Sequence, residues 1–498
     1  MKRLAVLLLA LALVLSLFGC AAKPEEKDAV DEFIEEIKES QETFVAFDKE
    51  LYDMEDPLTI CMDLEYVRDP IGGPQVEAVL NEFLTTLEQS GNLSDVEILF
   101  VPKHGEDREM MLEQIRDEIE FGGGPDVFIV NCSGTSNGWN IEEEEPLFPF
   151  PERAMENGLF LPLDEYMENQ TVFADWEKQT QAVLHAGRTE EGQQIIPLAY
   201  TMPLQYFRKS EVDIDLTGRT YTWDDMLNNP EISRYARFVA DCATPSFDDG
   251  VGMTDDGEEY LEYSFGELAD FWTGYLSFTE EELLQRVKEI LKLHEELWEN
   301  LDSMSAGIED YSAHSGTWLG WEMASGLSYQ LWDIRHDMPV TMLPIYSDDG
   351  GATASILSWA AVNRNTDRPE DAYRVIDLLM RGHVQKNYWL YENYICGRER
   401  GIPMYEELLQ PDMPFGRGLR WNLTEENYEE LCEVRGQITS ANFQSALGVE
   451  LRALMAECLR CAGYGEDGYL LAEENDDFVS VEQSVHETYE RLEMILCE

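Results

Sequence analysis

Positive charge is scarce in this chain, and its scarcity excludes one large class of partners. The 498 residues include 35 lysines and arginines against 101 aspartates and glutamates, a formal net charge of −66. Such a surface repels phosphate backbones, so nucleic acid is excluded as a partner. It also opposes adhesion to anionic lipid. Solubility or a lineage-wide bias explains the acidity better than calcium binding, since neither Asp255-Asp256 nor Asp348-Asp349-Gly350 has the D-x-D-x-D-G spacing.

Cysteine and histidine are also few, which argues against a disulfide scaffold and against a zinc enzyme. Nine cysteines in 498 residues are too sparse for a disulfide framework. Cys458 and Cys461 form a single C-x-x-C pair, and the apolar residues around it favour a helix over a zinc site. The seven histidines never occur in H-x-x-x-H or H-E-x-x-H spacing, so no zinc ligand set of the hydrolase kind is present. We therefore expect no metal and no cofactor.

Long apolar runs are absent except near the amino terminus, where Lys2 and Arg3 precede the run Leu4–Phe18. This run of about 15 residues is shorter than the roughly 20 that a spanning helix needs. It predicts a cleaved secretory signal rather than an uncleaved membrane anchor. The closing residues Leu17-Phe18-Gly19-Cys20 resemble the lipobox of bacterial lipoproteins. The resemblance implies cleavage before Cys20 and lipidation of that cysteine, so the folded part is expected on the extracytoplasmic side, lipid-anchored to the cell membrane.

Beyond this segment, apolar residues alternate between the period of strands and the period of helices. Short apolar runs predict strands, and apolar positions at i, i+3 and i+4 predict helices. The resulting order is strand 58–64, helix 75–90, strand 96–101, helix 108–121 and strand 126–131. Such alternation predicts a parallel sheet with crossover helices, whose carboxyl strand ends form a ligand crevice.

Six segments resemble, in order, the extracellular solute-binding proteins of bacterial ABC importers, family 1, of the sugar-binding type. They match the family's Gly-Pro-Asp strand, leucine-proline-leucine segment, first crossing between lobes, return crossing, following helix and third crossing. The segments are GGGPDVFIVN at 122–131, LFLPLDEYMEN at 159–169, GQQIIPLAYTMPLQYFRKS at 192–210, MPVTMLPIYSDDGGATASILSWAAVN at 338–363, RPEDAYRVIDLL at 368–379 and GIP at 401–403. The likeness covers most of 58–410, whereas 410–498 match only as generic helices.

The resemblance implies an α/β, two-lobed periplasmic-binding-protein-like fold of type II, with crossing segments between the lobes and a cleft between them. The implied division is a signal peptide at 1–19, a lipid-anchored acidic spacer at 20–56, lobe 1 at 57–197 with 352–402, and lobe 2 at 198–351 with 403–498. The acidic segments 140–146 and 248–259 have no counterpart in the family.

A binder of neutral, hydroxyl-rich solutes needs aromatic faces that stack on sugar rings. The chain supplies 11 tryptophans and 22 tyrosines. The candidate ligand-binding residues lie just after strand ends or in crossing segments, and are Tyr66, Asn131, Trp139, Tyr200, Trp272, Trp321, Trp332 and Trp359. For any one tryptophan, core packing is the competing interpretation, because large aromatics are often buried. We expect Trp223 to be structural, at a helix start capped by Thr222 or Asp224, and Asp126 to fix its loop by hydrogen bonds to backbone.

The predicted function is that of an extracellular substrate-binding lipoprotein of an ABC importer. It would be a monomer that captures a small solute, preferably a sugar or oligosaccharide, and delivers it to ABC permease subunits without a catalytic residue. Peptide and polyamine ligands stay open, as do two other functions, an anchored glycoside hydrolase and a non-transporting ligand sensor of the same fold. G-x-S-x-G at 134–138 follows a strand, but 139–151 lacks the helix that a nucleophile elbow requires.

Overall fold

The structure is a computed structural model that describes most of the chain beyond residue 56. The ranges described are 57–64, 73–102, 105–131, 146–209, 214–216, 218–233, 260–305, 317–318, 339–387, 395, 402–409, 424–443, 445–462 and 480–497. Residues Leu58–Glu498 group into one unit of the chain.

The secondary structure of these ranges is mixed α/β. The strands are β1 (Leu58–Asp63), β2 (Val96–Phe100), β3 (Val127–Asn131), β4 (Arg188–Thr189), β5 (Gly192–Gln193), β6 (Ile195–Thr201), β7 (Pro203–Arg208), β8 (Ala269–Asp270), β9 (Tyr275–Leu276), β10 (Thr317–Trp318), β11 (Val340–Pro344), β12 (Ala352–Val362), β13 (Ile402–Pro403) and β14 (Ile438–Phe443). The α-helices are α1 (Gly73–Gln89), α2 (Glu106–Glu120), α3 (Pro151–Glu156), α4 (Asp164–Asn169), α5 (Gln181–His185), α6 (Trp223–Asn228), α7 (Tyr260–Tyr263), α8 (Glu280–Ser305), α9 (Pro369–Leu379), α10 (Gly382–Asn387), α11 (Glu425–Arg435), α12 (Ala446–Cys461) and α13 (Val481–Cys497). Short 3₁₀ helices occupy Trp176–Lys178 and Glu406–Leu409.

The first five elements form where the two periods predict them, to within a residue or two. Strand β3 is buried along its whole length, as in a parallel sheet covered by helices on both faces. Helix α2 turns Leu112, Ile115 and Ile119 inward. Helix α1 is followed by Gly91 and Asn92, and the φ of 56° at Asn92 is a left-handed conformation that ends a helix.

The main sheet has seven strands in the order β13-β6-β12-β3-β1-β2, with β14 beside β12. Strand β1 is parallel to β2 and to β3, which confirms the predicted parallel arrangement. Strand β12 lies antiparallel to β3 and β6 through its second half and parallel to β14 through its first half. Ten of its eleven residues are buried, so β12 is the centre of the core.

A second sheet has three antiparallel strands in the order β10-β7-β11. The chain leaves the main sheet at Thr201 and enters this one at Pro203, with Met202 alone between them. It returns from Pro344, the end of β11, to Ala352, the start of β12. The predicted first and return crossings therefore run between two sheets, while the exact lobe boundaries stay predictions.

After β13, which pairs with β6 in the main sheet, the chain reaches the second sheet again. Helix α11 lies against β11, where Asn427 Oδ1 accepts a hydrogen bond from Val340 N at 2.9 Å and Glu430 Oε1 accepts one from Met342 N at 3.0 Å. Side-chain acceptors thereby satisfy backbone donors at the edge of this sheet.

The Gly-Pro-Asp turn before β3 confirms the structural role predicted for Asp126. Its Oδ2 accepts hydrogen bonds from Thr59 N at 2.7 Å and from Thr59 Oγ1 at 2.8 Å. The turn is therefore tied to β1. Thr222 caps α6 in a capping box with Asp225, and Trp223 is buried, so Trp223 is structural as predicted.

The carboxyl-terminal part contains predicted helices and one strand that the sequence did not predict. Strand β14 is polar in its middle, and its buried residues are the two ends, Ile438 and Phe443, so it lacks a strand pattern. Cys458 and Cys461 lie on α12, as predicted. Burial raises the pKa of the Cys458 thiol to about 12, which makes it a poor nucleophile.

Across the ranges that the structure describes, no helix is both long enough and apolar enough to cross a membrane.

Candidate ligand-binding site

The carboxyl ends of β1, β2 and β3 meet at one edge of the main sheet because the three strands are parallel. Loops at this edge form the ligand crevice in open α/β sheets. Tyr66 follows β1 and Trp139 follows β3 in the sequence, and both residues lie outside the described residues. The described part of the site is therefore the carboxyl edge of the sheet, which fixes the positions from which the segments with Tyr66 and Trp139 continue.

A buried ion pair lies at the carboxyl end of β1. Arg108 Nη1 and Nη2 donate to the two carboxylate oxygens of Asp63 at 2.7 and 2.9 Å, and Nη1 also donates to Pro102 O at 3.0 Å. Both side chains are buried. Burial, and then the charge of Asp63, raise the pKa of the neighbouring Cys61 thiol well above its ordinary value. The pair holds the end of β1, three residues before Tyr66 in the sequence.

This pair was not predicted from the sequence, although a signal for Arg108 exists. Arg108 occupies the same helical face as Leu112, Ile115 and Ile119, all of which are buried. A charged residue on an apolar face is rarely buried unless it has a partner, so its position predicts an acidic partner inside. The sequence does not say which of the many carboxylates that partner is.

Asn131 lies at the carboxyl end of β3, where it was predicted, and is 8% exposed. It is opposite Ser358 of β12 in the sheet register. Ser358 Oγ donates to Ile395 O at 2.7 Å, so the neighbouring strand is also fixed at this level. Asn131 is the last described residue before the segment that contains Trp139. A role for its amide in binding stays a prediction.

Trp359 was predicted to stack on a ligand, but the structure places it in the core with 1% exposure. Its ring centroid lies 5.6 Å from those of Phe148 and Phe160 and 6.2 Å from that of Phe443. Trp359 is buried because β12 has neighbouring strands on both sides in the sheet and both faces of β12 are covered. The core-packing interpretation describes Trp359 in this structure, because no face of its ring is available to a solute.

Tyr200 is likewise fully buried, and its hydroxyl has protein partners. Arg435 Nε donates to Tyr200 Oη at 3.0 Å, and the hydroxyls of Tyr200 and Thr180 are 3.2 Å apart. Arg435 Nη2 donates to Thr180 Oγ1 at 2.9 Å. Tyr200 therefore joins β6 to the end of α11 in a buried polar network and offers no open face for stacking.

Trp272 is 76% exposed and lies in the turn of the hairpin formed by β8 and β9. Asp270 Oδ1 accepts hydrogen bonds from Trp272 N at 3.0 Å and from Thr273 N at 3.1 Å. Hydrogen bonds from Thr273 and Trp272 lower the pKa of Asp270, so its carboxylate stays charged and holds the turn. Phe271 packs on Phe150 with centroids 5.7 Å apart. The hairpin is thus fixed while the indole faces solvent.

The other predicted residues lie outside the part of the chain that the structure describes: Cys20, Tyr66, Trp139, Trp321 and Trp332. The structure places Asn131 and Trp359 on neighbouring strands of the main sheet, because Asn131 is opposite Ser358 and Trp359 is the next residue. Tyr200 and Trp359 are buried and have no face open to a solute in this structure, and the ligand-binding roles of the other six residues stay predictions.

The return crossing is anchored by Arg286 of α8, which is 5% exposed. Arg286 Nη2 donates to both carboxylate oxygens of Asp348 at 2.7 and 2.6 Å, and Nη1 donates to Ser264 O at 2.6 Å. Its guanidinium carbon lies 4.5 Å from the ring centroid of Trp223 and 4.6 Å from that of Phe265. Burial lowers the pKa of Arg286. Asp348, considered above for calcium, instead ties the turn between the two sheets to a helix.

Two sheets of different size, joined by segments that cross between them, define the class of this protein. It is an α/β protein with the two-lobed fold of the periplasmic binding proteins. A solved structure of an extracellular solute-binding protein of family 1 from Alicyclobacillus acidocaldarius is similar to it, with a TM-score of 0.50 and 13% identity. The similarity covers 89% of this chain and 100% of the other. The predicted fold class is confirmed, and the predicted resemblance holds at the level of the fold.

Two further solved structures are similar at lower scores. The sugar-binding protein MalE from Xanthomonas citri has 13% identity and a TM-score of 0.47, with 89% of this chain and 98% of that chain covered. A cyclic alpha-maltosyl-1,6-maltose binding protein from Arthrobacter globiformis has 15% identity and a TM-score of 0.46, with 89% and 99% covered. No protein-family model and no curated protein matches the sequence. Likeness at these identities establishes the fold, so a ligand has to be argued from the chain itself.

Proposed function

We propose that this protein is the substrate-binding component of an ABC importer. It captures a small solute in the cleft between two lobes and hands it to a membrane permease without making or breaking a bond. The observation that carries this proposal is the likeness of fold to an extracellular solute-binding protein over that protein's whole length. The chain's passage between two sheets at Met202 supports it, because hinged closure of two lobes requires such connections.

The proposed solute is a neutral carbohydrate, a sugar or an oligosaccharide. Aromatic side chains are the usual apolar surface for sugar rings, and the chain has 11 tryptophans and 22 tyrosines. Trp272 supports this choice because its ring is exposed on a fixed hairpin. The two segments that continue from the carboxyl edge of the main sheet contribute Tyr66 and Trp139 to the same proposal.

Binding is proposed to favour a closed form by simple linkage. A solute shifts an equilibrium between open and closed lobes only if it contacts the closed form better. The buried pair of Asp63 and Arg108 supports this shift because it fixes the end of β1, from which the segment with Tyr66 continues. The pair of Arg286 and Asp348 fixes the turn of the return crossing. Both arrangements keep the framework rigid while the lobes move about the crossing segments.

We also propose that the protein is held at the extracytoplasmic face of the cell membrane by lipid on Cys20. The proposal rests on the lipobox-like residues Leu17-Phe18-Gly19-Cys20. Growth of an expressing bacterium with an alkyne fatty acid should label the wild-type protein and place it in the membrane fraction. Cys20→Ala should lose the label. An equally labelled Cys20→Ala variant would contradict lipidation at this residue.

A thermal-shift screen of mono- and oligosaccharides tests the proposed function, with amino acids and polyamines as controls. A ligand present at 100 times its dissociation constant adds about 2.7 kcal/mol to the free energy of unfolding. We expect at least one carbohydrate to raise the melting temperature and to be recovered unaltered. Stabilisation by the controls alone would contradict a carbohydrate ligand. Turnover of a chromogenic glycoside would instead favour the hydrolase.

A further inference from the structure

The outer face of α2 carries a regular stripe of side chains that the proposed function does not use. Residues at positions i, i+3, i+4, i+7, i+8 and i+11 share one side of a helix. On α2 and the residue after it, these are Met110, Glu113, Gln114, Asp117, Glu118 and Phe121. They form an open strip of surface that ends at Gly122 and Gly123. We name this set the α2 stripe.

Both ends of the α2 stripe are exposed apolar side chains. Met110 is 60% exposed and Phe121 is 85% exposed. At 1.5 Å per residue, the eleven residue steps from Met110 to Phe121 span about 16 Å, or three helical turns. Single exposed apolar residues need no explanation, but here two of them lie at the two ends of one helix face.

Between these ends the charge of the α2 stripe is only negative. Neither arginine of α2 belongs to the stripe: Arg108 is buried and pairs with Asp63, and the half-buried Arg116 donates to Leu147 O at 3.1 Å and to Pro146 O at 2.6 Å. The last turn has no basic residue. Carboxylates there are disfavoured by the negative end of the helix dipole.

We propose that the α2 stripe binds a basic amphipathic helix of another protein. The partner would have two apolar side chains about 16 Å apart, which contact Met110 and Phe121, with lysine or arginine between them. Its positive charges would offset the uncompensated carboxylates at the end of α2. A second copy of this chain does not fit, because its own stripe and its net charge of −66 would repel. The inference does not depend on the proposed function.

A fluorescein-labelled 15-residue amphipathic peptide of leucine and lysine provides a direct probe by fluorescence anisotropy. We expect the double variant Met110→Ser/Phe121→Ser to bind it at least tenfold more weakly than the wild type. The matched control is Met494→Ser on α13, which removes a methionine that is 58% exposed from another acidic helix. We expect it to change affinity less than twofold. Equal affinities in the wild type and the double variant would overturn the proposal.

A pair of charge variants separates a specific site from general attraction to an acidic protein. Glu113→Gln/Asp117→Asn/Glu118→Gln removes three negative charges from the stripe. The control Glu487→Gln/Glu490→Gln/Glu493→Gln removes three from exposed positions of α13. We expect weaker binding and a smaller salt dependence in the first variant only. Equal effects in the two variants would overturn the proposal.

Sedimentation of the protein alone completes the test. We expect a monomer whose sedimentation coefficient is the same in the wild type and in Met110→Ser/Phe121→Ser. Self-association that this double variant abolishes would make a second copy the occupant and would overturn the proposal. Because every substituted side chain is exposed, the melting temperatures of all variants should match that of the wild type.

Discussion

Trp359 and Trp272 are the same side chain in two opposite environments. Trp359 is 1% exposed at the centre of the main sheet, and Trp272 is 76% exposed at the turn of a two-stranded hairpin. The difference comes from the strands that carry them. Strand β12 has neighbours on both sides and helices over its faces, whereas β8 and β9 pair only with each other among the described strands. Position in the sheet, rather than residue type, decides whether an indole stabilises the fold or is available to a ligand.

The segment 146–156 lies between these two environments and contacts both. Phe148 packs on Trp359, while Phe150 packs on Phe271 of the hairpin. The same short segment therefore connects the buried cluster to the exposed turn. Substitutions on its two sides should therefore separate stability from ligand binding.

The largest effect is expected for Trp359→Ala. Removing a buried tryptophan from a packed core costs about 3–5 kcal/mol, because the transfer free energy is lost and a cavity is left among Phe148, Phe160 and Phe443. Denaturant unfolding measures this change. A loss below about 1 kcal/mol would show that the aromatic cluster is not the core that the structure describes.

The next largest effect is expected for Asp63→Asn at the carboxyl edge. Breaking a buried pair by neutralising one partner leaves the Arg108 charge uncompensated and costs about 3 kcal/mol. The matched control is Glu231→Gln, which breaks the exposed pair with Arg219 and should cost less than about 1 kcal/mol. Equal losses in the two variants would contradict a structural role for the buried pair.

Glu152, in the segment between the two tryptophans, predicts a pH dependence. Burial raises the pKa of its carboxyl to about 7, and its Oε2 has no hydrogen-bond partner among the residues that the structure describes. Because the folded pKa is above the unfolded one, the folded state binds more protons between about pH 4.5 and 7. Its contribution to stability is therefore present at low pH and lost as the pH rises through 7.

Glu152→Gln removes this titration. The free energy of unfolding of the variant should exceed that of the wild type at pH 8, and the difference should shrink toward pH 5, by up to roughly 3 kcal/mol over that interval. Urea unfolding at several pH values measures it. A difference that is constant with pH would contradict a raised pKa at Glu152.

The smallest effect on stability, below about 0.5 kcal/mol, is expected for Trp272→Ala, because its ring is exposed. Its effect should instead appear in binding, as a several-fold weaker affinity for the sugar identified by the thermal-shift screen. Trp272→Phe keeps an aromatic face and should retain most of the affinity. An unchanged affinity in Trp272→Ala would remove this residue from the candidate site.

Local features of this fold could be predicted from sequence, and features that depend on distant strands could not. The capping role of Thr222 and the loop-fixing role of Asp126 depend on a few residues and were predicted correctly. The burial of Trp359 depends on strands that are far from it in the sequence, from β3 to β14, and no local pattern reveals that these strands become its neighbours. Strand β14 exists because β12 offers it a partner, although its middle residues are polar. Arg108 shows the same limit, since its face was predictable and its partner was not.

Small-angle X-ray scattering of the processed chain, with and without the sugar from the screen, tests solute capture between two lobes most directly. Closure of the lobes predicts a smaller radius of gyration at saturating sugar, with no change on adding an amino acid that fails to stabilise the protein. A sugar that raises the melting temperature while leaving the radius of gyration unchanged would contradict capture by closure.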